Sequence, residues 1–410
     1  MPPLDAAAAD ELLRAVILDD TARQDPVAAY RRFHAELPTW HSSTGTTVLC
    51  RYEDGLEHLR NPRWGRPEPD MEVPAGFGTG RRRERGNTHA MLLLNPPDHT
   101  RIRGLVSRAF TPRRVEELRP RLEALLDPLV ERLAAEDEVD LLAELAVPFP
   151  VAVISELLGV PQDETHRFIA LARDATSLID AAADDVAEER GIAAVTEMAL
   201  YFVGLIEEKR RHPDDGLLSA LIEVEAEGDR LSLEELVANT ILLYAAGFET
   251  TSNLIGNGVW ALLRHPDQLE RLVAEPGLVP SAVWEVLRYD SPVQLNARTL
   301  LADGELLGET APRGTQVLVL QGAANHDPTV YASPERFDVA RFAAGEVATP
   351  LSFGWGAHHC LGAHLARAEA EVVFDRLVRS FPGLRAAGAP PRYRPSFTLR
   401  GLGSLRVSVR

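Results

Sequence analysis

The sequence predicts a mainly α-helical fold with small β-sheets, and two observations support that prediction. Apolar residues recur at i, i+3 and i+4 spacing through long stretches of the middle of the chain, which is the pattern of helices with one buried face. β-branched, strand-like runs are short and lie towards the two ends. The predicted helices cover residues 115–136, 151–158, 164–179, 188–211 and 233–263, and the predicted strands cover residues 46–50, 315–320 and 404–409.

The chain of 410 residues is predicted to form one domain that spans residues 1–410. Length alone favours two or three domains. However, the Pro/Gly-rich stretches at residues 61–80 and 387–395 are short and contain aromatic residues, which is typical of ordered loops rather than flexible linkers. We therefore expect an α-rich body with a smaller β-rich region formed near the N-terminus and the C-terminus.

The net charge of −18 argues against nucleic acid as a partner, because a phosphate backbone requires a basic surface. The charge is uneven along the chain. Residues 51–121 contain fifteen Arg and ten acidic residues, so this segment carries +5 and the rest of the chain carries −23. Such a basic segment either binds the anionic groups of a cofactor or an acidic partner, or forms a solvated arginine-rich surface.

The two cysteines, Cys50 and Cys360, are too few for a disulfide framework. Cys50 lies in an apolar run and is expected to be a buried strand residue, which suits a reducing compartment. The first twenty residues are acidic and lack the basic start and apolar core of a signal peptide. No stretch approaches the roughly 20 apolar residues of a membrane span. We therefore expect a cytoplasmic protein that uses neither a membrane nor nucleic acid as a partner.

The longest predicted helix has a defined start and end. Ser232, followed three residues later by Glu235, forms a capping box before an apolar run. Pro266 stops the helix near residues 264–266. About thirty residues at a rise of 1.5 Å give roughly 45 Å, which is long enough to cross the whole domain. This helix is therefore expected to be a scaffold on which a cofactor can lie.

The middle of that helix holds residues that helices do not favour, namely Ala246-Gly247-Phe248-Glu249-Thr250-Thr251. Gly costs up to about 1 kcal/mol and Thr a few tenths relative to Ala, so something other than helix propensity must favour them. Thr250 lies four residues after Ala246 and shares its face, so its hydroxyl can bond the Ala246 carbonyl and open the helix locally. The segment is either a small notch beside a carboxylate, or a close helix contact with a solvated Glu249.

Cys360 lies in a Gly-rich loop that leads into a helical stretch at residues 363–380. A metal-bound thiol must ionise, and backbone N–H groups freed by a glycine turn, together with the positive end of a helix, stabilise the negative charge of the sulfur. One alternative is a buried cysteine that serves as a small apolar residue. Another is a zinc cluster of His358, His359, Cys360 and His364, which is disfavoured because paired ligand units from separate loops are missing.

The cysteine loop carries the pattern F-G-x-G-x-H-x-C-x-G without a departure at residues 353–362, and in this it resembles the cytochrome P450 family of haem-thiolate monooxygenases. The resemblance implies a cytochrome P450 fold with a long central helix over haem b (iron protoporphyrin IX), and Cys360 as the axial ligand of the iron. A thiolate ligand pushes electron density onto the iron and favours O–O cleavage. The resemblance further implies haem contacts for Ala246, Phe353 and Gly362.

The mid-helix segment resembles the A-G-x-[D/E]-T motif of the same family. This implies that Glu249 and Thr250 are the catalytic pair that delivers protons to bound dioxygen through water. Residues 285–288 match the family's E-x-x-R helix, which implies a structural role for Glu285 and Arg288 in the core on the haem side. Residues 334–337, together with Arg341, resemble the family's meander segment, which commonly completes this network.

His99 and Arg103 are four residues apart, so both face one side of a short predicted helix. The family's H-x-x-x-R pairing implies that they bind the haem propionates, which need cationic partners when they are partly buried. Arg298, a few residues beyond an S-P-V segment, and His358 of the cysteine loop match two further family positions. We therefore expect these four side chains to form a cationic clamp.

The expected substrate is a medium-sized hydrophobic natural product that is hydroxylated or epoxidised by one oxygen atom of O2. The predicted pocket walls are mostly apolar, with one amide that can orient the substrate. They include Leu92, Leu93, Ala245, Phe248, Val293, Asn296 and Phe397. One alternative function is oxidative C–C, C–N or C–O coupling or ring formation by the same haem. Another is a non-catalytic haem-binding or recruitment module.

The resemblance also implies that electrons arrive one at a time. No G-x-G-x-x-G dinucleotide-binding pattern occurs and no residues remain for a flavin domain, so the reductant must come from a separate protein. A ferredoxin, reduced by a ferredoxin reductase with NAD(P)H as the ultimate donor, is the expected partner. We expect it to dock on the Cys360 side, where the basic segment 51–121 can attract it.

Overall fold

The computed structural model describes residues 3–72, 89–108, 110–223 and 230–410. Helices predominate in these residues. They are α1 (Ala6–Leu18), α2 (Val27–Glu36), α3 (Tyr52–Arg60), α4 (Asp98–Ser107), α5 (Pro112–Ala134), α6 (Pro148–Leu158), α7 (Thr165–Thr176), α8 (Asp185–Arg211), α9 (Leu217–Glu223), α10 (Leu233–Arg264), α11 (Pro266–Ala274), α12 (Val279–Tyr289), α13 (Gln321–Ala324) and α14 (Ala363–Ser380).

The strands are short and form three sheets within the described residues. They are β1 (Thr39–His41), β2 (Thr46–Leu49), β3 (Trp64–Gly65), β4 (Glu138–Asp140), β5 (Asn296–Leu300), β6 (Gly304–Leu306), β7 (Glu309–Ala311), β8 (Gln316–Val319), β9 (Arg385–Ala386) and β10 (Arg406–Ser408). The sheets have the orders β1-β2-β8-β5-β3, β4-β10-β9 and β6-β7. The predicted fold class, mainly α with small β-sheets, is confirmed.

The largest sheet joins two distant parts of the chain. Strand β2 pairs in parallel with β8, which places Val48 beside Leu318, and β5 pairs with β8 in the antiparallel sense. Since a parallel pair needs a long crossover, much of the α-rich part forms the connection between β2 and β8. Strand β3 then pairs with β5, so Trp64 lies opposite Leu300. Residues near position 65 are thereby brought beside residues near position 300.

Three predicted helices begin three residues earlier than the apolar spacing indicated. Helix α5 begins at residue 112 rather than 115, α6 at 148 rather than 151, and α8 at 185 rather than 188. The reason is that the first turn is specified by its cap and not by burial. Asp184 caps α8 by accepting from the Ala187 N–H, and Pro112 and Pro148 occupy the first position of α5 and α6.

Helix α10 has the predicted start and end. The Ser232 hydroxyl accepts from the Glu235 N–H at 3.2 Å, and the Glu235 carboxylate accepts from the Ser232 N–H at 2.9 Å. The helix ends at Arg264, directly before His265 and Pro266. It contacts α6, α7, α8, α12 and α14, so it lies inside the α-rich part and not on its surface.

Two apolar cores meet along α10. The first half of the helix, from Leu236 to Phe248, contributes to a core with residues of α6, α7 and α8. The second half, from Leu254 to Leu262, contributes to a core with residues of α5, α12 and α14. The irregular segment around Glu249 therefore lies at the junction between the two cores.

The structure bears on two further predictions, that Cys50 is buried and that the chain lacks a membrane span. Cys50 follows β2 and is fully buried, as expected for a strand-end residue of the core. Among the described residues, no helix has the length and apolar character needed to cross a bilayer. Part of the predicted basic segment, including the four arginines between residues 81 and 85, lies outside the described residues.

A buried ion network lies between α12 and the chain that follows α13. Both side chains of the Glu285–Arg288 pair are fully buried, and Arg288 donates two hydrogen bonds of 2.8 Å to the Glu285 carboxylate. Arg341 donates to the same carboxylate at 3.0 Å, and the Asp338 N–H donates to it at 2.9 Å. Arg288 also donates to the Pro334 carbonyl at 2.8 Å. The network thus ties the segment at residues 334–341 to α12.

The substitution Glu285→Gln is expected to destabilise the fold by about 3–5 kcal/mol, because it leaves two buried guanidinium groups without their counter-charge. Chemical denaturation followed by circular dichroism measures this change. Glu335→Gln is the matched control: Glu335 is exposed on the attached segment, and its change is expected to stay within about 0.5 kcal/mol. Equal effects of the two substitutions would contradict the structural importance of the buried pair.

Candidate functional site

The loop before α14 is built by two glycines with positive φ. Gly354 has φ +64° and Gly356 has φ +70°, a backbone region that side chains other than glycine rarely adopt. A Cβ on Gly356 would lie 2.5 Å from the Leu59 carbonyl oxygen, so the loop also packs too closely against α3 for any side chain. The Cys360 N–H donates to the Phe353 carbonyl at 2.8 Å and closes the loop. Helix α14 begins three residues after Cys360.

The Cys360 side chain is accessible, in contrast to buried Cys50. The protein around it still desolvates the thiol and raises its pKa, while the backbone N–H of Gly362 and the positive charge of Arg103 act in the opposite direction. An accessible group that is nonetheless desolvated lies at the floor of a concave site. A Cβ added to Gly362 would meet no atom within 4 Å, so protein packing does not require glycine there.

The predicted cationic side chains come together beside this loop. Helix α4 supplies His99 and Arg103, and the Arg103 guanidinium donates to the His359 carbonyl at 2.5 Å. The rings of His99 and His358 lie 4.3 Å apart between their centroids. Arg298 lies on β5, and its side chain is 1% exposed. All four residues named from the sequence therefore lie in one neighbourhood.

Positive charge dominates the electrostatics of this cluster among the described residues. Burial, which has the largest effect, and the positive charges of Arg103, Arg66 and Arg298 together lower the pKa of His99 to about 4. Burial also lowers the pKa of His358 and of Arg298, and neighbouring basic residues add a smaller effect in the same direction. The charged neighbours that act on these three groups are all cations. The cluster would accordingly be stabilised by an anionic ligand.

Two buried polar atoms in the cluster have no hydrogen-bond partner among the described residues. They are Nε2 of His99 and one terminal nitrogen of Arg298. Buried donors are rarely left unpaired, so each indicates a missing acceptor. The site thus needs acceptors for the buried nitrogens and a partner for the Cys360 sulfur. Haem has both, since its carboxylates can accept hydrogen bonds and its iron can bind a thiolate. The residues present fit the implied cofactor.

Arg66 belongs to the same cluster, although the sequence did not indicate it. It follows β3 and donates to the Ala297 carbonyl on β5 at 3.3 Å, and its charge lowers the pKa of His99, His358 and Arg298. An isolated arginine after a two-residue strand carries no sequence signal. Only the pairing of β3 with β5 brings it to the site.

The middle of α10 forms the predicted notch. The Thr250 hydroxyl donates to the Ala246 carbonyl at 2.7 Å, and Thr251 makes the same bond to Gly247 at 2.9 Å. Ala246 is exposed although the helix is buried along most of its length. An exposed alanine in the centre of a buried helix indicates that this face of α10 borders an open space.

Glu249 is not solvated, so the alternative interpretation of this segment is wrong. Its side chain is 4% exposed and forms an ion pair with Arg394, and Arg173 at the end of α7 lies 3.8 Å from it. Arg394 also donates to the Asn253 side chain at 2.9 Å. Neither arginine could be assigned from the sequence, since they lie 76 positions before and 145 after Glu249.

Two of the predicted pocket residues do not line an open space. Phe248 and Phe397 have no exposed surface. Phe248 is two residues from Ala246, so its side chain points about 200° away from that of Ala246, to the opposite side of α10. There it packs into the core with α7 and α8. Phe397 packs into the core between the N-terminal helices and the large sheet. The prediction that these two side chains form pocket walls is wrong for this conformation.

The remaining predicted wall residues differ in exposure. Leu92, Leu93 and Val293 are half-buried, and Ala245 is 7% exposed. Asn296, predicted to orient the substrate, instead accepts a hydrogen bond from the Arg298 guanidinium. The amide oxygen of Asn296 therefore helps to position the Arg298 guanidinium.

The zinc alternative receives no support from the geometry. Within the described ranges, no three His, Cys, Asp or Glu side chains are arranged so that they could hold a metal ion together. The His358 ring instead contacts the His99 ring, at a tilt of 44°.

Known proteins provide an independent comparison. Residues 28–393 match the family model described as Cytochrome P450. The chain is 42% identical over 399 residues to cytochrome P450 107B1 of Saccharopolyspora erythraea, covering 94% of this chain and 92% of that protein. It is 41% identical over 407 residues to the vitamin D(3) 25-hydroxylase of Pseudonocardia autotrophica, covering 96% of each.

A solved structure agrees in fold along nearly the whole chain. The cytochrome P450 PksS of the bacillaene polyketide synthase of Bacillus subtilis 168 superposes with a TM-score of 0.85 at 34% identity. The superposition covers 95% of this chain and 98% of that one.

Proposed function

The chain belongs to the cytochrome P450 family, and we propose that it hydroxylates or epoxidises a medium-sized hydrophobic intermediate of natural-product biosynthesis. As a member of this family it is a monooxygenase that uses haem b and O2, receives electrons from a separate redox partner and oxidises a hydrophobic small molecule. The names of two relatives, one a vitamin D(3) hydroxylase and one a polyketide enzyme, support a substrate of this size and character.

One observation carries the assignment of the site: an accessible thiol lies beside a cluster of desolvated basic side chains, and the charged groups recorded as acting on His99 and His358 are themselves basic. We assign Cys360 as the iron ligand, and His99, Arg103, Arg298 and His358 as the partners of the two propionates. Arg66 adds positive charge to this set. Ala246, Phe353 and Gly362 are proposed to bound the haem.

The protein's own groups prepare the thiolate. The Gly362 N–H and the Arg103 guanidinium both favour the ionised sulfur, and the start of α14 adds the positive end of a helix dipole. The bound haem supplies the iron at which O2 is reduced and split. The tight loop holds the Cys360 sulfur in place, since Gly356 leaves no room for movement against α3.

Thr250 and Glu249 are proposed to deliver protons. Because the Thr250 hydroxyl hydrogen is engaged with the Ala246 carbonyl, its lone pairs remain open to accept a hydrogen bond on the exposed side of α10. Arg394 and Arg173 hold the carboxylate of Glu249, the residue that precedes Thr250 on α10. We propose that Glu249 takes up a proton when it leaves its ion pair and passes that proton to Thr250 through water.

The experiment that tests the site assignment is the absorption spectrum of the reduced protein with carbon monoxide. Thiolate-ligated haem has a Soret band at an unusually long wavelength, and wild-type protein is expected to show it. Cys360→Ser should abolish that band. The matched control is Cys50→Ala, which changes the other cysteine of the chain and should keep the band. A band at the ordinary position in wild type would contradict thiolate ligation.

Thr250→Ala is expected to uncouple oxygen reduction from product formation, because the proton path loses its hydroxyl. With a hydrophobic probe that shifts the haem spin state, about ten times more of the consumed NAD(P)H should end in hydrogen peroxide. Product and peroxide are measured together. Thr251→Ala is the control, since that hydroxyl makes the same helix bond but is 2% exposed. Equal product yield in wild type and Thr250→Ala would contradict the proton-delivery role.

The redox partner is proposed to be a ferredoxin that is reduced by a ferredoxin reductase with NAD(P)H. Arg103 connects α4 to the cysteine loop, so the following basic residues at the end of α4 and the start of α5 lie on the Cys360 side. Among them, Arg108 is exposed and the Arg113 side chain is 89% exposed. A basic surface near the haem suits an acidic electron carrier.

Charge reversal at Arg108 and Arg113 to Glu is expected to lower turnover with a ferredoxin about tenfold at low salt. The difference should shrink above about 0.5 M salt, because screening shortens the range of attraction. Arg14→Glu, on exposed α1 outside the basic segment, is the control. Unchanged turnover at low salt in the double variant would contradict docking on this surface.

We also propose that residues 1–410 form a single domain and that the protein works in the cytoplasm. Support for one domain comes from the large sheet, which joins residues near positions 48 and 318. Support for a reducing compartment comes from the free state of both cysteines.

A further inference from the structure

Asn239 connects helix α10 to the chain segment that precedes α4. Its side chain is 1% exposed and makes three hydrogen bonds. The amide oxygen accepts from the Met91 N–H at 3.0 Å, and the amide nitrogen donates to the His89 carbonyl at 3.0 Å and to the Glu235 carbonyl at 2.7 Å. These partners determine the orientation of the amide. In a flipped side chain the NH2 group would face the Met91 N–H, and the amide oxygen would face the two carbonyls.

Helix stability does not explain an asparagine at this position. Asparagine is a poor helix former in the interior of a helix, and α10 already has a complete capping box at its start. An apolar residue would suit the surrounding core better. The side chain instead bonds the backbone of a neighbouring irregular segment, and it supplies the acceptor for the N–H of buried Met91.

The connected segment is the predicted pocket wall. Met91 begins a short 3-10 turn that also contains Leu92 and Leu93, and the latter two are half-buried. A segment this short cannot determine its own position, since it makes few internal hydrogen bonds. Its place relative to the rest of the site depends on what it is attached to.

Asn239 lies on the same face of α10 as the notch. Positions 239, 246 and 250 are separated by 7 and 11 residues, which in a helix of 3.6 residues per turn differ in direction by about 20°. The rise along the axis is about 10 Å from Asn239 to Ala246 and about 16 Å to Thr250. Helix α10 therefore positions both the notch, which it contains, and the wall at Met91–Leu93, which it binds through Asn239.

We propose that Asn239 is a positioning residue that sets the distance between the pocket wall at Met91–Leu93 and the oxygen-side face of α10. It thereby determines how bulky a ligand the pocket accepts next to the haem. The proposal rests on the proposed function in that the wall is taken to bound the substrate. Asn239 itself touches no substrate; it acts through the backbone of residues 89–91.

The test compares two iron-binding azoles on the haem-loaded protein. Imidazole is small and reports only on the iron and its thiolate, whereas 4-phenylimidazole also fills the space beside the iron. Asn239→Leu keeps the branched shape of the side chain and removes the hydrogen bonds to residues 89 and 91. We expect the ratio of the two dissociation constants to change by about tenfold, the effect of losing one well-made buried hydrogen bond, and the imidazole constant to stay unchanged.

The matched control is Thr240→Val. Thr240 is the next residue, is fully buried, and its hydroxyl bonds only the Leu236 carbonyl of its own helix at 2.7 Å. This variant removes a buried hydrogen bond from α10 without touching residues 89–91, and it should leave the azole ratio as in wild type. If Asn239→Leu does not retain haem, Asn239→Ser tests the same contacts with a smaller change.

Hydrogen exchange supplies a second readout that does not depend on azole binding. In the Asn239 variants the amides of residues 89–94 should exchange at least about tenfold faster, while Thr240→Val leaves them protected. An unchanged azole ratio would overturn the proposal, whatever the exchange shows. If wild-type protein bound neither azole, the proposed function would fail, and the exchange rates would still decide whether Asn239 holds the segment.

Discussion

The structure depends on the burial of helix α10 along most of its 32 residues. Its first half packs into one apolar core and its second half into another, so buried apolar side chains hold the helix at both ends. Stability from these two cores permits an irregular centre. Gly247, Glu249 and Thr250 lie where the cores meet, and the loss of helix propensity there is small compared with the burial on either side.

Buried charge is treated in two different ways in this protein. The Glu285–Arg288–Arg341 network is complete within the chain, with every charged group hydrogen-bonded to a partner. Around Cys360 the opposite holds, because His99, His358 and Arg298 are desolvated among basic residues, and His99 and Arg298 each have a buried nitrogen without a hydrogen-bond partner among the described residues. A satisfied network stabilises the fold, whereas an unsatisfied one stores binding energy for an anionic ligand. This contrast distinguishes the structural charges from those proposed to bind haem.

Two irregular segments are placed by backbone hydrogen bonds to buried polar side chains. Asn239 holds residues 89 and 91, and Asp180, between α7 and α8, accepts from the N–H groups of Phe397 and Thr398 at 3.2 Å. Both side chains are buried, Asn239 on α10 and Asp180 in the connection between α7 and α8. Short irregular segments cannot pack a core of their own, so such attachments determine where they lie.

The sequence by itself determined the elements and the chemistry that are local in the chain. The apolar spacing and the capping box located α10 to within a residue, and the loop around Cys360 was recognisable because its glycines, histidine and cysteine lie within ten positions. The bond from Thr250 to Ala246 followed from helix geometry alone. Local patterns predict well because their partners lie a few residues apart and the backbone conformation specifies the distance.

Tertiary structure decided everything that depends on contacts between distant segments. It brought Arg66 beside Arg298 through the pairing of β3 with β5, and Arg394 and Arg173 to Glu249. It also turned Phe248 and Phe397 away from the open space. Apolar residues of a core and of a pocket look alike in a sequence, because both avoid water. Only the packing of helices and sheet against one another shows which of them face protein and which face the cavity.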